Sequence, residues 1–227
     1  MKRILIIDDN EDIRKIIGYD LLKAGFDVDD AMDAESGYQK IMQEKHYDLI
    51  IIDWMLPNMS GIEFVRLLRH KQVRSFLFML TAKDGINDLE EAFAAGVDDY
   101  MRKPFSPKEL EIRIRYHLQS CSSITSQHTL SYGDLFMEMN NRHIRINDHL
   151  ISLTRKEFDM LALFMTHSDT VLSRNQILNE LWGYDYEGDT RIVDVHTFKL
   201  RAKLRESNVQ ISSSRGIGYL LEKKNTC

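Results

Sequence analysis

The chain has 227 residues, a formal net charge of −5 and a hydrophobic fraction of 43%, which excludes a fibrous or disordered protein and predicts one or two globular domains. Its apolar runs are far shorter than the roughly 18 residues that span a bilayer, and the first run reaches Asp8 and Asp9 too early for a signal peptide. We therefore expect a cytoplasmic protein with no membrane segment. Cys121 and Cys227 have no spacing that predicts a disulfide framework or a metal site.

Apolar periodicity in the first half of the chain alternates between strand spacing and helix spacing. The predicted strands are 2–7, 26–29, 47–52, 76–80 and 99–102, and the predicted helices are 11–24, 34–45, 62–70, 84–95 and 106–118. Strands that alternate with helices in this way predict an α/β fold with a doubly wound, five-stranded parallel sheet. We assign residues 1–119 to this domain.

The third predicted strand ends at a carboxylate. Residues 49–52 are all apolar, which predicts a strand buried on both faces, and Asp53 follows them directly. Ligands of open parallel sheets collect at the carboxyl ends of the strands, so Asp53 is a candidate site residue. Taken alone, an Asp in this position is more often a helix cap or a turn residue.

Polar residues at the ends of other predicted strands favour a site. The first strand ends at Asp8 and Asp9, the fourth at Thr81 and the fifth at Lys103. Three converging carboxylates need a cation to stay ionised, and oxygen ligands suit Mg²⁺. Thr81 and Lys103 could then hydrogen-bond and neutralise a phosphoryl group, which an Asp side chain can accept as an acyl phosphate. These residues together predict phosphoryl-transfer chemistry.

The second half of the chain has a different organisation. A polar stretch rich in Ser and Thr, at 120–129, predicts a linker. Four short strand-like runs follow, at 130–132, 136–139, 143–146 and 149–153, and then three amphipathic helices that begin at Thr154, Ser173 and Arg191, the third ending near Glu206. A predicted hairpin of strands 211–214 and 219–222 closes the chain. This order predicts an α+β winged helix-turn-helix domain over residues 130–227.

Positive charge in this second domain collects on the third predicted helix. Residues 191–205 contain several Lys and Arg against the single acid Asp194. In a winged helix the third helix can enter the DNA major groove while the hairpin reaches the adjacent minor groove. A solvated helix face has the same pattern, so the helix alone leaves both interpretations open.

The first domain carries, in order, the motifs of a family. Asp8-Asp9, Asp53 with Met55-Leu56-Pro57 and Gly61, Leu80-Thr81-Ala82, Gly96-Val97-Asp98-Asp99-Tyr100 and Lys103-Pro104-Phe105 resemble the motifs of two-component receiver domains. The resemblance implies that Asp53 accepts a phosphoryl group from a sensor histidine kinase. It also implies that Asp9, Asp53 and the Met55 carbonyl hold Mg²⁺ directly and that Asp8 acts through water.

Further receiver properties follow from the same resemblance. Thr81 and Tyr100 would be the switch pair, with the hydroxyl moving toward the phosphate and the ring turning inward. The Lys103–Pro104 bond would be cis. Dimerisation would use ion pairs on the fourth helix, fifth strand and fifth helix, at four positions that match this surface: Asp98, Asp99, Glu109 and Arg113.

The second domain is similar to the effector domain of OmpR/PhoB response regulators. The similarity rests on Leu153-Thr154-Arg155-Lys156-Glu157-Phe158, Ser173-Arg174, Leu181-Trp182-Gly183, Arg191-Ile192-Val193-Asp194-Val195-His196, Leu200-Arg201-Ala202-Lys203-Leu204 and Arg215-Gly216-Ile217-Gly218-Tyr219. It implies that Lys199 reads a base and that Arg215 contacts the backbone from the wing, while phosphate contacts come from Arg191, His196, Arg201 and Lys203. Phe198 and Leu220 depart from the family, since many relatives are basic at both positions.

These observations favour a response regulator that, once phosphorylated on Asp53, dimerises and binds tandem DNA half-sites to regulate transcription, with RNA polymerase as a further partner. Such a protein is not an enzyme beyond its own phosphoryl transfer and dephosphorylation. Two alternatives stay open: an Mg²⁺-dependent phosphohydrolase with an Asp nucleophile, and a constitutive DNA-binding regulator. The kinase, the stimulus, the regulated genes and the direction of regulation are not encoded in recognisable motifs.

Overall fold

The computed structural model describes residues 1–43, 46–83, 86–119, 128–183 and 190–224. The chain forms two compact units, Met1–Leu118 and Gln119–Cys227. Residues 120–127 of the predicted linker lie outside the described residues, and the next strand begins at Thr129. Among the residues described, no helix combines the length and the apolar character needed to cross a bilayer.

The first unit alternates strands and helices throughout. Its elements are β1 (Arg3–Ile7), α1 (Glu11–Lys23), β2 (Asp27–Ala31), α2 (Ala34–Met42), β3 (Leu49–Asp53), α3 (Gly61–His70), β4 (Phe76–Thr81), α4 (Ile86–Ala95), β5 (Asp99–Arg102) and α5 (Pro107–Gln119). The strands form one parallel sheet in the order β2-β1-β3-β4-β5. The predicted doubly wound sheet is therefore confirmed.

The order of the strands explains why a site forms at one end of this sheet. Strand order reverses between β1 and β3, and helices that leave neighbouring strands on opposite faces open a crevice at such a switch point. The central strands β3 and β4 are buried at every position, and each carries one polar side chain, at its last residue. Asp53 and Thr81 therefore both lie at the carboxyl ends of these strands.

Helix boundaries follow local signals where these are strong. Asn10 caps α1 by accepting from the backbone N–H groups of Asp12 and Ile13, and Gly25, with φ of 90°, ends it as predicted.

Strand β2 lies later than predicted, at Asp27–Ala31 rather than 26–29. The reason is that β2 is a polar edge strand in which only Ala31 is buried, so no apolar pattern marks its end.

The described residues of the second unit form two antiparallel sheets and three helices. Its elements are β6 (Thr129–Tyr132), β7 (Leu135–Glu138), β8 (His143–Ile146), β9 (His149–Ile151), α6 (Arg155–Thr166), β10 (Leu172–Ser173), α7 (Arg174–Trp182), α8 (Arg191–Lys203), β11 (Val209–Ser214) and β12 (Gly218–Lys223). The sheets have the orders β6-β7-β8-β9 and β10-β12-β11. The predicted meander, three helices and terminal hairpin are confirmed.

Two features of this unit were not predicted. Strand β10 has only two residues, and it exists because Leu172 pairs with Tyr219 and Ser173 with Gly218, about 45 residues later. A Cβ on Gly218 would lie 1.9 Å from the Leu172 carbonyl oxygen, so this pairing requires glycine. Helix α8 ends at Lys203 rather than near Glu206, because the chain turns after Leu204 to enter β11.

Candidate functional site

The carboxyl ends of β1 and β3 bring three predicted carboxylates together. Asp8 and Asp53 are buried, with exposed fractions of 0% and 6%, while Asp9 is exposed. One carboxylate oxygen from each of Asp8, Asp9 and Asp53 lies within 4.8 Å of the others. Burial and mutual repulsion oppose three negative charges at this spacing, and the donor set consists of oxygen atoms only.

Lys103 supplies the positive charge nearest to these acids. Its Nζ lies 2.9 Å from Asp8 Oδ2 and 2.9 Å from Asp53 Oδ1. The Lys103 backbone N–H donates to the Thr81 carbonyl at 2.7 Å, and the Lys103–Pro104 bond is cis. The end of β5 therefore directs the ammonium group between the two buried carboxylates.

The site shifts the pKa values of its acid and its base. Burial raises the pKa of Asp53 above its usual range; Lys103 offsets part of this effect, and Asp8 and Asp9 reinforce it. Burial alone would lower the pKa of Lys103, but hydrogen bonds and charges from Asp8 and Asp53 hold it above its usual value. Burial thus disfavours the ionised form of Asp53, and an additional cation would favour it.

A residue that sequence reasoning missed fixes the loop that carries Asp8 and Asp9. Arg14 donates to the backbone carbonyls of Asp8 at 2.7 Å and Asp9 at 3.1 Å, and its Nε donates to Asp30 at 2.8 Å. These contacts orient the β1–α1 loop from the side of α1. An Arg on an amphipathic helix carries no sequence signal for this role, because the three acceptors come together only in the folded chain.

The loop after Asp53 requires a glycine. The Gly61 N–H donates to the Trp54 carbonyl at 2.8 Å, and a Cβ at Gly61 would lie 2.1 Å from the Asp53 carbonyl oxygen. This close approach folds the β3–α3 loop back over the end of β3. Met55 lies in that loop, and its side chain is exposed.

The predicted switch residues are both buried. Thr81 ends β4, with its Oγ1 accepting from the Lys83 backbone N–H at 2.9 Å. Tyr100 in β5 is 5% exposed, and its ring lies edge-on to Phe93 with 5.6 Å between the centroids. The Tyr100 ring is therefore packed inward against α4 in this structure.

Two of the four predicted dimer-interface residues are in the wrong place for surface ion pairs. Asp98 is fully buried, and its Oδ2 lies 2.5 Å from an Arg69 nitrogen and accepts from the Leu77 N–H. Asp99 is also fully buried, 2.8 Å from His117 Nε2. Both carboxylates are used inside the unit, so their burial argues against contact with another protomer.

The other two residues of that set lie together on α5. Arg113 and Glu109 form an ion pair one helical turn apart, at 2.9 Å. The Glu109 side chain is 44% exposed and that of Arg113 is 12% exposed. Of the four positions, Glu109 is thus the one most accessible to a second chain.

In the second unit, the predicted DNA-contact residues differ in their exposure and in the contacts that they make. Arg191 is exposed in the first turn of α8, and Lys199 is partly exposed. Arg215 is exposed at the β11–β12 turn, where Gly216 has φ of 72°. These three cations thus lie at the surface of α8 and the hairpin, to different extents.

Arg201 and Lys203 are exposed and also bind other elements of the unit. Arg201 donates to the Ile211 carbonyl and to Ser213 Oγ, both at 2.7 Å, which attaches α8 to β11. Lys203 Nζ lies 2.6 Å from a carboxylate oxygen of Glu157, which is buried in α6. Both side chains therefore hold α8 in place, a role that spacing along one helix could not reveal.

His196 does not lie where a phosphate contact requires it. It is 1% exposed, and its ring centroid lies 5.5 Å from that of Trp182 in α7. The prediction carried over from the family does not fit this burial, because the ring faces the core. A ring that packs between two helices belongs to the interior of the winged helix.

A polar network that was not predicted joins α7, α8 and the hairpin. Arg174 Nε donates to Asp194 Oδ1 at 2.8 Å, and the Tyr219 hydroxyl donates to the same oxygen at 2.6 Å. The guanidinium groups of Arg174 and Arg201 lie 4.9 and 5.4 Å from the centroid of the Tyr219 ring. This network fixes the hairpin relative to α8.

Comparisons with known proteins agree with both units. Residues 4–115 match the family described as "Response regulator receiver domain", and residues 148–221 match "Transcriptional regulatory protein, C terminal". The alkaline phosphatase synthesis transcriptional regulatory protein PhoP of Bacillus subtilis (strain 168) is 37% identical, over 97% of each chain. The phosphate regulon transcriptional regulatory protein PhoB of Klebsiella pneumoniae is 34% identical, over 96% of this chain and 97% of its own.

A solved structure supports the same fold. The response regulator DrrB of Thermotoga maritima, described as an OmpR/PhoB homologue, has a TM-score of 0.52 and 24% identity, and the match covers 98% of this chain and 99% of DrrB. At this identity the likeness concerns the fold alone.

Proposed function

Since the chain belongs to the OmpR/PhoB family of two-component response regulators, we propose that phosphorylation of Asp53 by a sensor histidine kinase controls its binding to DNA. The chain is a regulator of transcription, and the phosphohydrolase considered from the sequence is not supported by its relatives. Residues 1–119 are the receiver in this proposal, 120–129 the linker and 130–227 the DNA-binding domain. Its location is the cytoplasm, where the kinase domain and the DNA are both accessible.

The observation that carries the proposal is the position of Lys103 beside Asp53. Asp53 attacks the phosphorus of a phosphohistidine, and the bond from phosphorus to the histidine nitrogen breaks as the acyl phosphate forms. The Lys103 ammonium, already 2.9 Å from Asp53, neutralises charge on the transferred group. The Thr81 hydroxyl then turns toward a phosphoryl oxygen, and the Tyr100 ring, which is already buried against Phe93, keeps its inward position.

Mg²⁺ fits the acids at this site. Asp9, Asp53 and the Met55 carbonyl would hold it directly, with Asp8 acting through water, and the ion would screen the charge of the phosphoryl oxygens. The three carboxylates within 4.8 Å and the raised pKa of Asp53 support this assignment. Arg14 serves the same site by fixing the backbone of Asp8 and Asp9.

At the output end, Lys199 reads a base, while Arg191 and Arg215 contact phosphates. Arg201 and Lys203 position α8, and His196 supports it from the core. The phosphorylated receivers associate through a surface that includes Glu109 and Arg113, so that two winged helices bind tandem half-sites about one DNA turn apart. RNA polymerase is the further partner of the bound dimer.

Asp53→Asn tests the chemical step. The full chain is incubated with Mg²⁺ and acetyl phosphate, and the added phosphoryl group is measured by intact mass. We expect no labelling of Asp53→Asn, because the amide cannot form the acyl phosphate, and full labelling of the control Asp12→Asn, which removes an exposed acid in α1. Undiminished labelling of Asp53→Asn would exclude Asp53 as the acceptor.

A further inference from the structure

Helix α8 has an outward face that is apolar at its centre. Phe198 is 73% exposed, whereas Val193 and Leu200, on the inner face of the same helix, are fully buried. Val195 and Ala202, which precede and follow Phe198 by three and four residues, are partly exposed and exposed. These spacings place the three side chains on one stripe of the helix.

Two of the cations on this helix are held by contacts within the unit. Arg201 is bound to β11, and Lys203 is bound to Glu157. Arg191 is exposed seven residues before Phe198, which is two turns along the same stripe, and Arg215 is exposed at the hairpin turn. The stripe is thus apolar in the middle, with exposed cations at one end of the helix and on the wing.

A single exposed apolar residue is common on protein surfaces and by itself indicates nothing. Phe198 differs by its position, in the middle of the helix that the proposed function inserts into the major groove. There the exposed edges of the bases offer hydrogen-bonding groups and one apolar group, the C5 methyl of thymine. A phenyl ring has no hydrogen-bonding group, so the methyl is the feature of the groove that matches it.

We propose that Phe198 is a specificity-determining residue that packs against the C5 methyl of a thymine in each half-site. This inference rests on the proposed function, in which α8 enters the major groove. The exposed cations Arg191 and Arg215 give this region of the surface positive charge, which attracts a polyanion such as DNA and does not favour an apolar protein surface. The side chain at 198 would thereby contribute to base discrimination.

The test removes the methyl group and the ring separately. Duplexes bound by the full chain in the presence of Mg²⁺ and acetyl phosphate are first selected from a random pool. Each thymine of the selected duplex is then replaced in turn by deoxyuridine, which lacks only the C5 methyl. For the unchanged protein we expect one position per half-site at which this replacement weakens binding about three- to fivefold, the value of one buried methyl.

The decisive comparison uses Phe198→Ala. Because Phe198 is 73% exposed, this variant should fold normally, and it should bind thymine and deoxyuridine equally at that position. Phe136→Ala, which shortens an exposed ring in β7 of the same unit, should keep the discrimination. Phe198→Lys should bind all duplexes more tightly, and its affinity should depend more steeply on salt. It should also bind thymine and deoxyuridine duplexes equally at that position.

Two results would overturn the inference while leaving DNA binding intact. In the first, deoxyuridine does not weaken binding of the unchanged protein at any position. In the second, deoxyuridine weakens binding of Phe198→Ala as much as it weakens binding of the unchanged protein. In either case Phe198 would belong to a protein contact. Failure to select any sequence from the pool would instead overturn the proposed DNA-binding role. The outcomes therefore distinguish the inference from the function on which it rests.

Discussion

Lys103 is the residue on which the balance of charge at the receiver site depends. It touches Asp8 and Asp53 at the same distance, 2.9 Å, and its side chain is only 21% exposed. Removing it would leave the two buried carboxylates without the ammonium group that now lies between them. The same ammonium is the group best placed to respond when a phosphoryl group arrives.

Lys103→Ala should therefore fold but fail to switch. We expect the free energy of unfolding in metal-free buffer to fall by about 1–3 kcal/mol, because two buried acids lose their partner. Acetyl phosphate should no longer raise the affinity for DNA. Circular dichroism, urea denaturation and DNA titration measure these effects, with Lys108→Ala, an exposed lysine on α5, as the control. Full activation of Lys103→Ala would remove Lys103 from the mechanism.

At Asp98, unlike at Lys103, the structure does not agree with the role that the family resemblance implies. By family resemblance it is a surface residue that pairs with another protomer, yet its carboxylate is fully buried and bound to Arg69. Arg69 comes from α3, which precedes Asp98 by 29 residues. Nothing in the local sequence reveals this partner, because the pair depends on how α3 packs beside β5.

Helix α8 shows how one element divides its charges between structure and recognition. Lys203 neutralises Glu157, whose side chain also caps α6 by accepting from the Thr154 N–H at 2.8 Å. Burial alone would raise the pKa of Glu157, but the Lys203 charge and these hydrogen bonds outweigh it and hold the pKa below its usual 4.5. The ion pair thus joins the first and third helices of the winged helix.

Replacing Lys203 should reduce stability rather than DNA affinity. Lys203→Gln should lower the free energy of unfolding by about 1–3 kcal/mol at neutral pH, since a buried carboxylate loses its cation. The pKa of Glu157 is lowered in the folded state, so this contribution is complete above pH 4.5 and is lost as the pH falls through the folded value. The difference in the free energy of unfolding between Lys203→Gln and the unchanged protein, measured by urea denaturation, should therefore disappear as the pH is lowered.

Arg215→Ala provides the contrasting variant. It should leave stability unchanged but reduce the slope of log affinity against log salt by about one, as the loss of one phosphate contact does. Lys203→Gln should keep the original slope. A reduced slope in Lys203→Gln would return Lys203 to the DNA interface, against the assignment made from its contact with Glu157.

For the whole molecule, the proposal predicts that the state of Asp53 determines the number of protomers on DNA. Acetyl phosphate should convert the full chain to a dimer in sedimentation experiments. It should also raise the affinity for two half-sites, spaced about ten base pairs apart, by roughly 10²-fold, since linked binding increases avidity. Asp53→Asn should remain monomeric under the same conditions.

The control for this prediction is a duplex in which one half-site is moved by about half a turn, which places the two recognition helices on opposite sides of the DNA. With that duplex, acetyl phosphate should produce only a small part of the increase in affinity. Equal affinity with and without acetyl phosphate would instead support the constitutive regulator considered from the sequence.

The sequence by itself determined the elements and the chemistry at the receiver rim. Apolar runs such as 49–52 are confirmed as buried strands because hydrophobic patterning is local, and Asp8, Asp9, Asp53 and Lys103 converge because parallel strands end at one edge. It also determined the order of strands and helices in the winged helix, because turn and capping residues act on positions close to them in the sequence.

Only the tertiary structure decided which polar side chains are free to act. Asp98, Asp99 and His196 are buried, and Lys203 is bound to Glu157, although all four occur in patterns typical of surface contacts. Their partners lie on other elements, so helix periodicity and motif spacing carry no record of them. The exposure of Phe198 was decided in the same way, because it depends on which face of α8 packs against α6 and the hairpin.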